Sequence, residues 1–410
     1  MLTLTVDHKR LLQSIKASSI IGATQNGGLN RLALSDEDKV MRDFFKQWME
    51  KEGLQIRFDD FGNMYGRREG INSDHSAVLI GSHLDTQPNG GKFDGVLGVL
   101  AALEVIRVLN ENDIKTKRPI EIVNFTNEEG ARFEPPMLGS GGIANIFSRD
   151  FIYSVQDKDG KSFGAELEKT GYLGTETNRA NDIYRYVELH IEQGPVLENH
   201  RTNIGAVTGI QGMTWLEVRI SGHSAHAGTT PLLMRKDALL FSSKMISLIH
   251  EITAQIDPHC LVTIGRISAS PGAVNCVAGE VVFSVDVRHE EDSIRDRAVE
   301  VIRETLSTLA ASEDFGITIS ELWEIKTSHF SEDIISLIED AAKERHYSCE
   351  RIISGAAHDA KYMNHIVPSG MIFVPSVDGK SHCEDELTLD EDLINGANIL
   401  LDVTLSLTQK

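Results

Sequence analysis

The hydrophobic rhythm of this 410-residue chain changes twice, and those two changes dictate its architecture. Up to about residue 209, short apolar runs alternate with helix-like segments. "AVLIG" (77–81), "IEIVNF" (120–125) and "YVELH" (186–190) read as strands, and 95–110 reads as a helix between the first two. Buried β-rich runs separated by helical crossovers imply a largely parallel or mixed sheet with helices on its faces. Near residue 210 the period shortens. In "LEVRI", Leu216, Val218 and Ile220 alternate with Glu217 and Arg219, as a half-buried strand requires. A helix over about 232–254, strands at 261–267 and 281–289, a helix at 292–311 and a strand at 316–323 complete a β-α-β-β-α-β unit, the order of a ferredoxin-like module. The first rhythm then returns, with a helix at 331–345, the strand "GMIFV" (370–374) and a closing helix near 389–407. The chain is too long for one ordinary core. It reads as a discontinuous α/β domain, 1–209 and 326–410, interrupted by a small α+β domain, 210–325.

Charge and cysteine usage exclude several classes of function. With 61 acidic and 40 basic residues the net charge is −21, which argues against nucleic acid or an anionic membrane as partner. Cys260, Cys276, Cys349 and Cys383 lie far apart without metal-finger or redox-motif spacing, so they read as free thiols in a reducing compartment. The start "MLTLTVDHKRLLQSIKASSI" lacks the basic-then-apolar order of a secretory signal, and no apolar run is long enough to cross a bilayer. The expected location is the cytoplasm.

Five residues sit at or just beyond the carboxyl ends of expected strands: His83 in "GSHLDT", Asp94 in "GGKFDG", Glu129 in "TNEEGARF", His190 in "ELHIEQG" and His382 in "DGKSHCEDE". In open α/β sheets the loops at that edge form the ligand crevice. Imidazoles mixed with carboxylates suit Zn²⁺, Mn²⁺, Co²⁺ or Ni²⁺, and a carboxylate such as Asp94 can bridge two ions. Any one of the fifteen histidines is ordinarily surface or core; it is the shared position at strand ends that points to a metal site. The pair Glu128–Glu129 makes sense if Glu129 is a ligand and Glu128 a general base facing bound water. Asp85, two residues after His83, is placed to accept the imidazole's other N–H.

The motifs "GSHLDTQPNGGKFDGVLGVLAALEV", "NFTNEEGARF", "VELHIEQGPVLE", "GHSAHAGTTP", "SGAAHDA" and "MIFVPSVDGKSH" occur in the order found in a known family. From about residue 20 to the C-terminus the chain resembles the dinuclear amidohydrolases that include N-carbamoyl-L-amino-acid hydrolase, fungal-type β-ureidopropionase and allantoate amidohydrolase. The resemblance implies a metallopeptidase-like catalytic domain with an inserted ferredoxin-like dimerisation or lid domain. It implies two divalent ions per subunit, one held by His83, Asp94 and His190, the other by Asp94, Glu129 and His382. It makes Glu128 the general base and His226, in "HAGTTP", the group that polarises the scissile carbonyl. Asn275 and Arg288 match groups that hold the substrate's carboxylate, and Gln193 and the backbone near Ala357 match further substrate contacts. A guanidinium fork suits a carboxylate, and Arg288 shares a strand face with Val282, Ser284 and Asp286; a salt bridge to Asp286 is its plain alternative. "His358-Asp359" fits either a contact behind the ligands or a helix start. After the last ligand the family commonly has Asn or Ser, where this chain has Cys383; a small buried hydrophobe is the expected role.

The expected reaction is hydrolysis of the ureido C–N bond of an N-carbamoyl-L-amino acid to amino acid, CO₂ and ammonia. "DTQPNGG" favours carbamoyl-amino-acid and ureidopropionate hydrolases over allantoate amidohydrolases. A metal aminopeptidase or dipeptidase is the more distant alternative, and a catalytically dead binding protein would have lost Glu128 or a ligand. The implied partners are a small anionic ureido substrate and a second copy of the chain, with His226 acting across the dimer interface.

Overall fold

Strand Ala77–His83 is buried along its whole length because it has a parallel neighbour on each side, Ile120–Phe125 and Ile183–Ile191. Ser369–Val374 extends the parallel set beyond Ile183–Ile191. Antiparallel strands flank these four: Met64–Arg68 and Gln55–Phe58 on one side, Ile204–Ile210 on the other. They belong to a nine-stranded mixed sheet. These elements come from a computed structural model that describes residues 4–409; residues 1–3 and 410, the extreme ends of the expected outer domain, lie outside the described residues.

Helix Val96–Glu111 is largely apolar and buried from Val96 to Leu109, with Glu104 and Arg107 the charged residues in that span. It packs on the sheet and is itself covered by helices His8–Ser18 and Asp390–Thr408. A helix so largely apolar has to lie between layers in this way. Gly98 lets it approach closely, since a Cβ there would come within 2.4 Å of the Leu189 carbonyl oxygen. All four parallel strands therefore run out at one edge of the sheet, where His83 and the loops after Phe125, Ile191 and Val374 emerge.

The described chain divides into two compact units, one formed by residues up to Gly209 and from His329 onward, the other by Ile210–Ser328. The second unit holds an antiparallel sheet in which Glu280–His289 and Gly212–Ser221 are central and Gly316–Ile325 lies at one edge. Strand Glu280–His289 alternates strictly. Val281, Phe283, Val285 and Val287 join Leu216, Val218 and Ile220 against helices Ala238–Ile256 and Asp292–Ser312. Each such side chain contributes about 1.5–3 kcal/mol when fully buried, so a one-residue slip in register is strongly disfavoured.

Three local features differ from expectation. The strand expected at 261–267 is broken into Leu261–Thr263 and Ile267–Ser270, with Gly265 between them. The helix expected from 232 starts at Ala238, where the Asp237 side chain caps the N–H groups of Leu239 and Leu240; Leu232–Met234 form only a 3₁₀ turn. A short pair unexpected from periodicity joins Ala225–His226 to Cys276–Val277. All four cysteines are free, and no helix among the described residues is long and apolar enough to cross a membrane.

Candidate metal centre

The exits of the parallel strands bring the five expected ligands together. His83 ends its strand and His190 lies near the end of Ile183–Ile191. Asp94 precedes helix Val96–Glu111 through Gly95. There φ is +65° and a Cβ would come within 2.4 Å of the His83 ring, so no side chain fits. Asn127, Gln193 and His382 all adopt positive φ, at 60°, 58° and 55°. Three non-glycine residues in this region around one cluster mark backbone held by its surroundings.

Asp94 is the shared member. Its Oδ1 stands 3.4 Å from His83 Nε2 and 3.1 Å from His190 Nε2, and its Oδ2 stands 3.4 Å from His382 Nε2. His382 Nε2 is also 3.4 Å from Glu129 Oε2. The result is two candidate cation groups, His83–Asp94–His190 and Asp94–Glu129–His382, joined at one carboxylate. Glu128 Oε2 lies 3.5 Å from His83 Nε2, beside the first group.

The imidazoles are oriented for ligation. His83 Nδ1 lies 3.0 Å from the Asp85 carbonyl oxygen and His190 Nδ1 lies 2.9 Å from that of Ile191. With each Nδ1–H donated to a carbonyl, each Nε2 keeps its lone pair toward the cluster. The Gly95 N–H donates to His190 Nε2 at 3.1 Å, which requires the same tautomer. His83 Nε2 is buried without a hydrogen-bond partner among the described residues. An orphaned buried nitrogen facing carboxylates fits a metal ligand better than a structural histidine, whose ring nitrogens find protein partners.

The expectation for Asp85 changes here. Its backbone carbonyl, not its carboxylate, takes the His83 Nδ1–H; the nearer carboxylate oxygen is 4.0 Å away. The carboxylate instead accepts the N–H groups of Glu128 and Glu129, each at 3.3 Å. Asp85 thus orients the glutamate pair, because the chain turning out of the strand aims its carbonyl back at the ring.

The electrostatics have the same cause. Burial first, then the carboxylates of Asp359, Glu129 and Asp94, push Glu128 well above the usual range against the pull of His83. Burial and Asp94 raise Glu129 to about 7. Asp94 goes the other way: against burial, the imidazoles of His190, His382 and His83 hold it well below its ordinary value. Hydrogen bonding to Asp94 and the charge of Glu129 lift His382 to about 9. The buried carboxylates require positive charge nearby, and three imidazoles with carboxylates are a donor set for Zn²⁺, Mn²⁺, Co²⁺ or Ni²⁺.

Several contributors had no role, or a different one, in the reading of the sequence. Gln193, expected as a substrate contact, donates from Nε2 to Asp94 Oδ2 at 2.7 Å and stands 3.3 Å from His382 Nε2, so it braces the shared carboxylate. Ser381 Oγ bridges Asp94 Oδ2 and Glu386 Oε2, at 3.1 and 2.9 Å, while Glu386 accepts the N–H groups of Phe93 and Asp94. Gln87 donates from its backbone and its amide to the Glu129 carboxylate. Glu188 and His358 form a third acidic-imidazole group with His190; two-residue spacing on one strand was the available signal for Glu188. His358, with the half-buried Ala357 before it, does both things left open for it. It precedes helix Asp359–Met363, and its buried ring lies 4.4 Å from that of His190.

In the inserted unit, His226 and Asn275 meet. Cys276 pairs with His226, and the Ala227 N–H donates to the Asn275 carbonyl at 3.0 Å. Both residues are exposed. His226 Nδ1 accepts the N–H groups of Gly228 and Thr229 at 3.0 and 3.2 Å, so its proton sits on Nε2. Arg288 is not near them. Glu280 pairs with Ser221 at the His226 end of the sheet and Arg288 with Met213 at the other end, a span of roughly 27 Å at the rise of an antiparallel strand. The two residues expected to share a substrate carboxylate are thus not brought together within one chain. Arg288 takes its plain alternative, with Nε and Nη2 on Asp286 at 3.0 and 2.8 Å. Cys383 is half-buried beside His382.

Comparison with known proteins places this geometry in context. Residues 79–406 match the model of Peptidase family M20/M25/M40. The chain is 39% identical to an N-carbamoyl-L-amino-acid amidohydrolase from Rhizobium meliloti, over 98% of this chain and 96% of that one. It is 34% identical to an allantoate amidohydrolase from Bacillus subtilis (strain 168), over 94% of each. A crystal structure of an amidase of the hydantoinase/carbamoylase family from Burkholderia multivorans superimposes with a TM-score of 0.95 at 40% identity, covering 99% of both chains.

Proposed function

The chain belongs to Peptidase family M20/M25/M40, and within it we propose that it is a metal-dependent amidohydrolase acting on N-carbamoyl-L-amino acids. The observation that carries this reading is Asp94, whose two carboxylate oxygens serve two separate imidazole groups with Glu128 alongside. His83, Asp94 and His190 would hold one divalent ion and Asp94, Glu129 and His382 a second. Ions bound there would make water acidic enough to attack at neutral pH and would polarise the ureido carbonyl.

The chain's own residues do the rest. Glu128 takes the proton of the attacking water and returns it to the departing nitrogen. Asp85 keeps the glutamate aimed by holding its backbone N–H. His226, with its proton fixed on Nε2, is a donor for the oxygen on which charge develops. The C–N bond to the amino acid breaks, and the carbamate released decomposes to CO₂ and ammonia. Arg288 anchors the substrate's carboxylate by exchanging its contact with Asp286, and Gln193 and the backbone at Ala357 complete the pocket.

The opposite placement of His226 and Arg288 supports a two-chain site. A ureido substrate a few ångströms long cannot span the strand between them, so one copy supplies Arg288 and a second copy supplies His226 and Asn275. The inserted unit is then the dimerisation element, in a cytoplasmic homodimer. The deciding experiment is a substrate panel with Mn²⁺, Co²⁺, Ni²⁺ or Zn²⁺ added. N-carbamoyl-L-amino acids should be turned over faster than allantoate, ureidopropionate or dipeptides. Preference for allantoate would move the assignment within the family, and preference for dipeptides would replace the ureido reading.

A further inference from the structure

A buried carboxylate with no part in the proposed chemistry ties the loop of the last ligand to the shared aspartate. Glu386 is 4% exposed. Its Oε1 accepts the backbone N–H groups of Phe93 and Asp94, at 2.9 and 3.2 Å. Its Oε2 lies 2.9 Å from Ser381 Oγ, which in turn lies 3.1 Å from Asp94 Oδ2. Asp94 is thus gripped at both ends, directly at its N–H and through Ser381 at its carboxylate. His382 follows Ser381 in the chain, so the same grip fixes the shared carboxylate against the imidazole of the second group.

Packing alone gives no reason for a carboxylate at this place. A carboxylate removed from water is costly unless a cation balances it. Among the described residues no lysine or arginine pairs with Glu386; Lys380 turns instead to Asp378 and Asp385, at 3.7 and 3.9 Å. Its charged neighbour is Asp94, a second carboxylate. The backbone is cut away to admit it, since a Cβ on Gly91 would overlap the Glu386 carboxylate. The two metal groups also differ in how firmly they are held. His83 and His190 stand on strands with each Nδ1 at a carbonyl. His382 lies on a loop at φ +55°, with its side chain 51% exposed.

We propose, on the two-ion reading of the site, that Glu386 is a positioning residue for the Asp94–Glu129–His382 group. Without it this group loses its ion, while His83–Asp94–His190 keeps its own. Ligands fixed before the ion arrives lose little freedom on binding it, and the clamp supplies that fixing where the fold of the sheet does not. The outer side of the loop is held separately. Glu384 bonds to Thr24 and, at 2.8 Å, to Asn26 Nδ2, so removing Glu386 does not free the loop from the domain.

The test titrates the full-length, metal-depleted protein with Mn²⁺ by calorimetry, with elemental analysis of the loaded product. The binding event missing from His382→Ala marks the second group. Glu386→Ala should weaken that event by about 10–100-fold, the usual effect of removing a partner behind a ligand, and leave the other nearly unchanged. Glu386→Gln keeps an acceptor for both N–H groups and a polar contact for Ser381, so it should restore most of the lost affinity. Ser381→Ala removes only the link to the Asp94 carboxylate and should weaken the same event by about tenfold; its result stands even if Glu386→Ala fails to fold. Wild type that binds fewer than two ions overturns the two-ion reading and this proposal with it. Two ions in wild type, with the second bound as tightly in Ser381→Ala or Glu386→Ala, overturns the proposal alone. Equal weakening of both events, or Glu386→Gln as impaired as Glu386→Ala, also overturns it, by making Glu386 a general support of the fold.

Discussion

His83 ends a buried strand and His226 comes after a half-buried one, yet their surroundings could hardly differ more. His83 is 1% exposed, tied through Nδ1 to a carbonyl and ringed by Asp94 and Glu128. His226 is exposed, and its ring accepts hydrogen bonds from its own loop. The first belongs to a cluster of donors assembled wholly within one unit. The second is an exposed donor of fixed tautomer on the inserted unit. A buried side chain is positioned by its whole fold, whereas an exposed one is positioned for something that has yet to arrive.

That contrast can be broken most severely at the buried end. Chelation should abolish activity altogether, with recovery on adding a divalent ion. Activity that persists when elemental analysis finds no metal would end the metal reading. Glu128→Gln comes next. It should keep the fold and the ions but lower kcat by at least about 10²-fold, the usual size of a general-base contribution. Near-normal turnover by fully loaded mutant protein would remove Glu128 from the mechanism.

The effect of removing Arg288 should be smaller and should fall on binding. Arg288→Ala should raise KM for carboxylate substrates by roughly 10–100-fold, the value of a charge-assisted hydrogen bond or two, with kcat much less affected. Equal KM values for wild type and mutant would place the anchor elsewhere. The finest measurement mixes inactive His226→Ala and inactive Glu128→Gln proteins under subunit exchange. Random pairing makes about half the dimers mixed, each with one intact site, so about a quarter of wild-type activity should return. No recovery, with exchange confirmed independently, would confine His226 to its own subunit.

Much of the fold was legible along the chain. The change of period near residue 210 marks the start of the half-buried strand Gly212–Ser221. The strand "IEIVNF" and the closing helix fell where apolar patterning put them, because burial is written locally as period 2 or 3.6. The five clustered positions could be picked out for a related reason: polar residues at the exit of a buried strand have no packing purpose there.

What periodicity could not reach are the facts that depend on two distant segments meeting. Asp85 lies two residues from His83, but which of its oxygens faces the ring depends on how the chain turns out of the sheet, and the carboxylate went to the Glu128–Glu129 backbone instead. Glu386 and Ser381 brace Asp94 from nearly three hundred residues away, a contact with no local signature. Asn275 and Arg288 are thirteen positions apart in the chain, yet the extended strand between them carries Arg288 to the far end of a sheet. The sequence by itself determined the kinds of donor available and the order of the elements, because composition and period are local properties. Only the tertiary structure decided which donors share one carboxylate and which residues lie too far apart to meet within one chain, because those answers are distances, and distance along a sequence does not set distance in space.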